Sequence, residues 1–286
     1  MQTVKVVTQP ALNPSRPTRR SPLWLLLVPA VTGLVVLGTW PLDRYLEGDT
    51  LTDGQPHSLR ILTWNIGKLY HARWDSRASD DDLGHVAQVI AQLDPDVVAL
   101  QELTGPAQIG RLASLLGRRW RAKAPEDLYD RRAGLLTRLP VSFVKLPTSS
   151  GRIAQGATVT KGKVTFAVAS VHLDAFNAKR RLLQAEEIVA GMERLGQRDF
   201  VIAGDFNFDA SLVDRGSADN RLYRFLTQQA VDAGLGAGVT SVISRRLDYV
   251  FYRKGGRVSH AEAQVVRDKR VNIMDHDPLL VTFTIR

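Results

Sequence analysis

Six short apolar runs, each with polar residues at one end, constrain this chain more than any other feature. "LRILTWN" ends in Asn65, "DVVALQE" in Glu102, and "FAVASVHLD" in His172 and Asp174. "FVIAGDFN" ends in Asp205 and Asn207, "RLDYVFY" opens on Asp248, and "MDHDP" sets Asp275 and His276 just before "PLLVTFTI". Apolar runs of this length, bounded by turn residues, read as buried strands. An acid or amide after a strand often does no more than form a turn. Six such placements are harder to assign to turns alone. In largely antiparallel sheets the end of one strand lies beside the start of the next, so all of these residues can share one rim.

Helical periods separate the strands. Asp80, Asp81 and Asp82 can cap a helix carrying Val86, Val89, Ile90 and Leu93 on one face. "PAQIGRLASLLG" reads as a helix closed by Gly117, and "AKRRLLQAEEIVAGMERLG" as one closed by Gly196. "RLYRFLTQQAVDAGL" reads as a further helix, and "TVTKGKVTFAVASVHL" as a hairpin turning at Lys161-Gly162. The chain is 44% hydrophobic and 23% charged, a composition that folds. Residues 59–286 are therefore expected to form one α/β domain with mixed strands.

What precedes that domain has a different character. Residues 1–22 are polar, basic and proline-containing, and read as a disordered tail. Residues 23–40, "LWLLLVPAVTGLVVLGTW", carry no charge, and an apolar span of ~20 residues crosses a bilayer. Arginines precede the run, and Trp24 and Trp40 stand near its ends like interfacial anchors. Two readings compete with a transmembrane helix. A buried core helix fits poorly because the run is uninterrupted. A cleaved signal peptide is the stronger competitor, opposed by the length of the run and the absence of a following A-x-A site. The charge bias places the N-terminus in the cytoplasm and the domain outside, as a single-pass membrane protein. Residues 41–58 read as a linker.

Net charge is +9, and Lys5, Arg16, Arg19 and Arg20 supply four of those charges before the apolar run begins. The remaining excess is modest and suits anionic ligands such as phosphate esters or a nucleic-acid backbone. There is no cysteine, which excludes disulfides, thiolate zinc sites and a cysteine nucleophile. The strand-end set consists of carboxylates, amides and two histidines. Oxygen-rich ligation suits Mg²⁺ or Mn²⁺ rather than zinc, and such an ion neutralises charge developing on a phosphoryl group. An Asp can orient or deprotonate water, and a His can donate a proton. Together these groups suit phosphoester hydrolysis.

"LTWNIG", "LQE", "SVHLD", "GDFN", "LDYVF" and "DHDP", in this order, resemble the motifs of the endonuclease/exonuclease/phosphatase superfamily, the DNase I-like fold. "AGLLTRLPV" is similar to an internal segment of that superfamily, and "HLDAFNAKRRLLQAEEI" to a helix common in its bacterial members. The resemblance covers residues 59–286 and implies an α/β fold: a two-sheet sandwich flanked by helices, with the site on the rim where the sheets meet. It implies that Asn65 and Glu102 lie at the metal, Glu102 as principal ligand, with Asp275 near it. It implies that Asp205 activates the attacking water, that Asn207 holds that water or the phosphate, and that Asp248 orients His276 onto the scissile phosphate. His172 occupies a position where DNase and sphingomyelinase members keep a histidine, and can protonate the leaving oxygen; Asp174 can orient it. Two positions depart from the pattern, with Met274 and Thr137 where serine is common.

The function expected is a membrane-anchored, Mg²⁺- or Mn²⁺-dependent phosphodiesterase acting as a monomer on a phosphoester substrate. DNA or RNA stands slightly ahead of phospholipid headgroups and of small inositol-phosphate-like esters, because residues 59–286 carry no obvious hydrophobic hairpin for lipid insertion. A different class, a membrane-tethered binding module without catalysis, is opposed by the completeness of the constellation. "RWDSRASDDD" reads as a solvated loop and cap rather than a metal loop. Arg245 and Arg246 read either as phosphate attractors or as solvated cations. His57, His71, His85 and His260 stand outside the motifs, and Trp64 reads as core.

Overall fold

The computed structural model describes residues 57–67, 80–126, 132–267 and 275–286. The tail, the apolar run 23–40, most of the proposed linker, the greater part of "RWDSRASDDD" and Met274 lie outside the described residues. Among the described residues no helix is long and apolar enough to cross a membrane.

In chain order the elements are β1 (His57–Asn65), α1 (Asp80–Leu93), β2 (Val97–Leu103), α2 (Pro106–Leu116), β3 (Arg121–Lys123) and β4 (Arg132–Thr137). There follow β5 (Val141–Pro147), β6 (Ile153–Lys161), β7 (Val164–His172), α3 (Ala178–Glu193) and β8 (Phe200–Asp205). The last are α4 (Ala218–Gln229), β9 (Ala230–Asp232), β10 (Asp248–Arg253), β11 (Val258–Val265) and β12 (Leu279–Ile285). They build two six-stranded sheets, β11-β12-β1-β2-β4-β3 and β5-β6-β7-β8-β10-β9.

Strand alternation sorts the apolar residues into three packed layers. Leu59, Ile61, Val97, Ala99, Phe166, Val168, Val201, Ala203 and Val250 face between the sheets. The intervening Leu62, Trp64, Val98 and Leu100 pack under Val86 and Ile90 of α1 and Ile109 and Leu112 of α2. Ala169, Val171, Ile202, Tyr249 and Phe251 pack under Ile188 and Met192 of α3 and Leu222 and Leu226 of α4. The order of layers is helix, sheet, sheet, helix, the sandwich implied by the resemblance.

Pairing is not uniformly antiparallel. β1 pairs with β2 in parallel, as β7 does with β8. Helices α1 and α3 supply the crossovers that parallel neighbours need. β10 lies antiparallel to β8, with Asp248 opposite Asp205, and β12 antiparallel to β1. The ends of β1, β2, β7 and β8 and the starts of β10 and β12 therefore meet at one end of the sandwich.

The helix expected over "RLYRFLTQQAVDAGL" stops earlier. Ser217 caps α4 by accepting from Asn220 N. After Gln229 the chain extends, and Ala230–Asp232 pair with β10 as an edge strand. The cross-strand partners lie far along the sequence, so a local helical period could not register them. The hairpin reading holds: Lys161 pairs with Val164, and Gly162 takes φ 58° in the turn.

Candidate active site

The inward-facing residues of each central strand change from apolar to polar as the strand rises. On β1 the series is Leu59, Ile61, Thr63, Asn65; on β2 it is Val97, Ala99, Gln101; on β7 it is Phe166, Val168, Ser170, His172; on β8 it is Val201, Ala203, Asp205. Alternation with period two thus puts Asn65, His172 and Asp205 on the face between the sheets. Just beneath them Gln101 Nε2 donates to Thr63 Oγ1 and to Ser170 Oγ, both at 3.2 Å, and Ser170 Oγ donates to Leu100 O at 3.0 Å. These three polar residues bridge the sheets below the rim. They were not singled out in the sequence, although their phase on the strands marks them.

Above this bridge the side chains converge on one oxygen. Asp205 Oδ2 accepts from Asn65 Nδ2 at 3.0 Å, and lies 3.6 Å from His172 Nε2 and 4.0 Å from His276 Nε2. The other oxygen, Oδ1, accepts from the Asn207 backbone N–H at 2.8 Å. One carboxylate therefore makes the turn with one oxygen and serves the cluster with the other. Gly204 permits this: a β-carbon there would stand 2.0 Å from the Val171 carbonyl oxygen.

His276 is fixed from three sides. Its Nδ1 lies 2.7 Å from Asp248 Oδ2. Its carbonyl accepts from the Trp64 indole at 2.9 Å, so Trp64 is both core and support for the site. Its neighbour Asp277 donates N–H to the Thr240 carbonyl at 2.7 Å, while Thr240 Oγ1 accepts from the N–H groups of Leu247 and Asp248. Thr240 thereby ties Asp248 to the His276 segment; no sequence motif contained it. The second oxygen of Asp248, Oδ1, is buried without a partner among the described residues.

Glu102, Asn207 and Asp275 adopt left-handed backbone, with φ of 56°, 55° and 53°. Such conformations cost a non-glycine residue free energy and concentrate where a side chain must be re-aimed. Glu102 sits where the register between β2 and β4 shifts, between Leu100 and Leu103, and this bulge turns its carboxylate toward the rim. Glu102 Oε1 lies 3.9 Å from His172 Nε2 and 3.5 Å from Asn65 Nδ2. Asn207 spends its amide N–H on Leu173 O at 3.0 Å, leaving Oδ1 as its acceptor.

Charge within the cluster is set by competition. Burial pushes the Asp205 carboxyl up; His276, His172 and Asn65 pull it down and Asp248 pushes it up, and the outcome lies above the usual carboxylate range. Burial disfavours the His276 cation, but Asp248 at hydrogen-bond distance, with Asp205 and Asp275 beyond, outweighs it and pushes the imidazole up to about 10. Asp275 is exposed by area, yet partial burial and the carboxylates of Glu102 and Asp205, opposed by His276, push it up to about 6.

Asp174 Oδ1 accepts from the N–H groups of Phe176 and Asn177 and closes the turn into α3. One sequence reading is corrected here. Arg246 is not a phosphate attractor: both its terminal nitrogens bond the Asp232 carboxylate, at 3.0 and 2.7 Å, and it lies over the Tyr249 ring. Thr137 does the work of a turn, donating to Asp96 O and accepting from Leu139 N.

Among the described residues no three carboxylate, histidine or thiol groups are spaced to hold one ion. The donors at the Glu102 corner are oxygens, and Mg²⁺ is typically held by one or two carboxylates with water and substrate phosphate completing its shell. The residues present fit an ion held in that way.

A curated relative, a UPF0294 protein of Vibrio vulnificus (strain CMCP6), is 27% identical over 253 residues, spanning 81% of this chain and 78% of its own. An endonuclease/exonuclease/phosphatase structure from Bacteroides vulgatus superposes with a TM-score of 0.62 at 20% identity, covering 80% of this chain and all of its own. One from Beutenbergia cavernae gives 0.60 at 22%, covering 80% and 72%. At these identities the superpositions establish the sandwich fold. The model of the Endonuclease/Exonuclease/phosphatase family matches residues 62–270, from the end of β1 to the approach to β12, and the chain belongs to that family.

Proposed function

We propose that the domain is a phosphodiesterase that depends on Mg²⁺ or Mn²⁺ and is held at a membrane by residues 23–40. The observation that carries this reading is the convergence of Asn65, His172 and His276 on Asp205 Oδ2, with Asp248 behind His276. A bound cation at Glu102, with Asn65 and Asp275 beside it, would neutralise charge on the phosphoryl group. Asp205, its carboxyl raised by burial, takes the proton of the attacking water. The side-chain oxygen of Asn207 holds that water. His276, kept cationic by Asp248, binds a non-bridging oxygen of the phosphate. His172 gives a proton to the leaving oxygen. One P–O bond forms to water and one breaks to the leaving group, so atoms and protons balance.

Phospholipid headgroups become a stronger substrate class than the sequence suggested, and nucleic acid a weaker one. Arg246, one of two arginines that could have met a nucleic-acid backbone, is occupied by Asp232, and exposed apolar side chains stand on the loops at the catalytic end. The test is hydrolysis by the full chain of plasmid DNA, phospholipid vesicles and a soluble aryl phosphodiester, each with Mg²⁺ and with excess chelator. Metal-dependent release from the aryl diester is expected. Its absence with all three substrates would sink the reading.

A further inference from the structure

Seven large apolar side chains stand out as exposed among the described residues, and five of them lie on loops at the catalytic end. Phe176 follows β7 and is 92% exposed; Leu212 follows β8; Leu235 follows β9; Val242 and Ile243 precede β10. The other two, Leu115 and Leu183, lie on α2 and α3. Topology alone sends these loops out at the end that carries Asp205, and hydrogen bonds tie them to the site. The Val242 N–H donates to Asp275 O at 3.0 Å, the Phe176 N–H to Asp174 Oδ1, and Arg246 N–H to Asp209 Oδ2 across two of the loops.

A water-facing enzyme mouth has no use for a phenylalanine with almost its whole surface in solvent. Apolar residues gathered on one face mark a surface that something apolar covers. Exposed cations accompany them: Lys179 and Arg180 beside Phe176, Arg215 beside Leu212, and Arg245 beside Ile243. Apolar side chains that enter the acyl boundary, with basic residues at headgroup level, is the pattern of interfacial binding. A nucleic-acid duplex would reward the cations but not the aliphatic side chains. A protein partner would not account for the uncharged run 23–40 of the same chain.

We infer that the loops bearing Phe176, Leu212, Val242 and Ile243 form a docking surface for a lipid bilayer, and that the site acts on the phosphodiester of a lipid headgroup. The second half of this inference rests on the phosphodiesterase reading above. Residues 41–56 can reach ~55 Å when fully extended, and a strand of the length of β1 spans ~30 Å. A linker of that length sets no constraint against such contact.

The chain lacks cysteine, so single-cysteine variants can report depth. Phe176→Cys, Ile243→Cys and, as control, Leu115→Cys would each be labelled with an environment-sensitive fluorophore. The full chain would be reconstituted in phosphatidylcholine–phosphatidylglycerol vesicles carrying brominated lipid. Labels at 176 and 243 should be quenched several-fold more than the label at 115. Equal quenching at all three, or labels at 176 and 243 that respond to duplex DNA and not to lipid, overturns the docking surface. In the second arm, the double variant Phe176→Ser/Ile243→Ser should lose about tenfold on vesicle phospholipid and keep its rate on the soluble aryl diester. Unchanged hydrolysis of vesicles, or equal loss on both substrates, overturns the role in substrate delivery. If the unmodified chain cleaves neither substrate, the phosphodiesterase reading fails instead, and quenching alone decides the docking.

Discussion

Asp248 Oδ2 lies 2.7 Å from His276 Nδ1, and its partner oxygen, buried, bonds nothing described. A fully buried carboxylate with one satisfied oxygen is costly unless it faces a cation. The pair therefore reads as an ion pair whose proton stays on the imidazole, which is pushed up to about 10.

Asp248→Asn removes the charge that opposes burial, so the His276 imidazole should titrate lower. Its folded value lies above its ordinary value of 6.5. Its contribution to stability is thus full below pH 6.5 and lost as pH rises toward about 10. Metal-free wild type should lose urea resistance over that window, and the Asp248→Asn protein should lose less. Turnover should fall at least about tenfold, equivalent to ~1.4 kcal/mol of transition-state stabilisation. An unaltered His276 titration, followed by ring-proton NMR, would show that Asp248 does not hold the proton in place.

Asp205→Asn separates chemistry from architecture. The turn asks only that one side-chain oxygen accept from Asn207 N–H, and an asparagine oxygen can do that. The other position would become an NH₂ facing Asn65 Nδ2 and the two imidazoles, with no proton acceptor. We expect kcat to fall by ~10²–10⁴, the usual contribution of a general base, with KM much less affected. Circular dichroism should match wild type. A folded variant with near-normal kcat would make Asp205 a turn residue and nothing more.

Much of this site was legible because its residues stand in phase with the core. Asn65, His172 and Asp205 continue the inward face of strands whose lower residues are Ile, Val and Ala, so the apolar runs that identify the strands also aim the polar ends. What could not be read was what depends on distant partners. Strands β3, β5 and β11 lie at sheet edges with half-exposed alternation, and the edge strand β9 is only three residues long, so no apolar run marked them. The parallel pairing of β1 with β2 follows from the crossover helix α1, not from either strand's composition. Arg246 reads as a free cation until Asp232 is brought beside it by β9, itself hidden at the end of a helical period. Gln101 and Thr240 carry no signature of their own; only the neighbours they bond give them a role.

Two glycines should respond oppositely to alanine. At Gly204 a β-carbon would collide with the Val171 carbonyl oxygen at 2.0 Å, and φ is 154°. Relief requires β7 and β8 to separate where His172 and Asp205 meet, so Gly204→Ala should be the more damaging by several kcal/mol, as for other forced backbone clashes. Gly110, inside α2, has open space around its missing β-carbon and no positive φ. Gly110→Ala should raise stability by ~0.4–1 kcal/mol through the entropy of the unfolded chain. Thermal unfolding of the two variants checks both signs.

Glu102 offers the cleanest probe of the metal. It sits on a bulge with left-handed backbone, and its carboxylate faces the same corner as Asn65 and raises the Asp275 carboxyl. If a divalent cation is held there, binding stabilises the folded chain by mass action, by ~2.7 kcal/mol at a hundredfold excess over Kd. Mg²⁺ or Mn²⁺ should then raise the unfolding temperature of wild type, and excess chelator should reverse the rise and abolish turnover. Glu102→Gln keeps the size and polarity of the side chain but removes the charge a hard cation requires. It should lose the metal-induced rise while its metal-free unfolding temperature stays close to that of wild type, or exceeds it because one crowding carboxylate is gone. A full rise in the Glu102→Gln protein would place the cation elsewhere. No rise in wild type over millimolar Mg²⁺ and Mn²⁺, together with full activity in chelator, would remove the metal from the mechanism and leave neutralisation of the phosphate to cationic side chains such as His276.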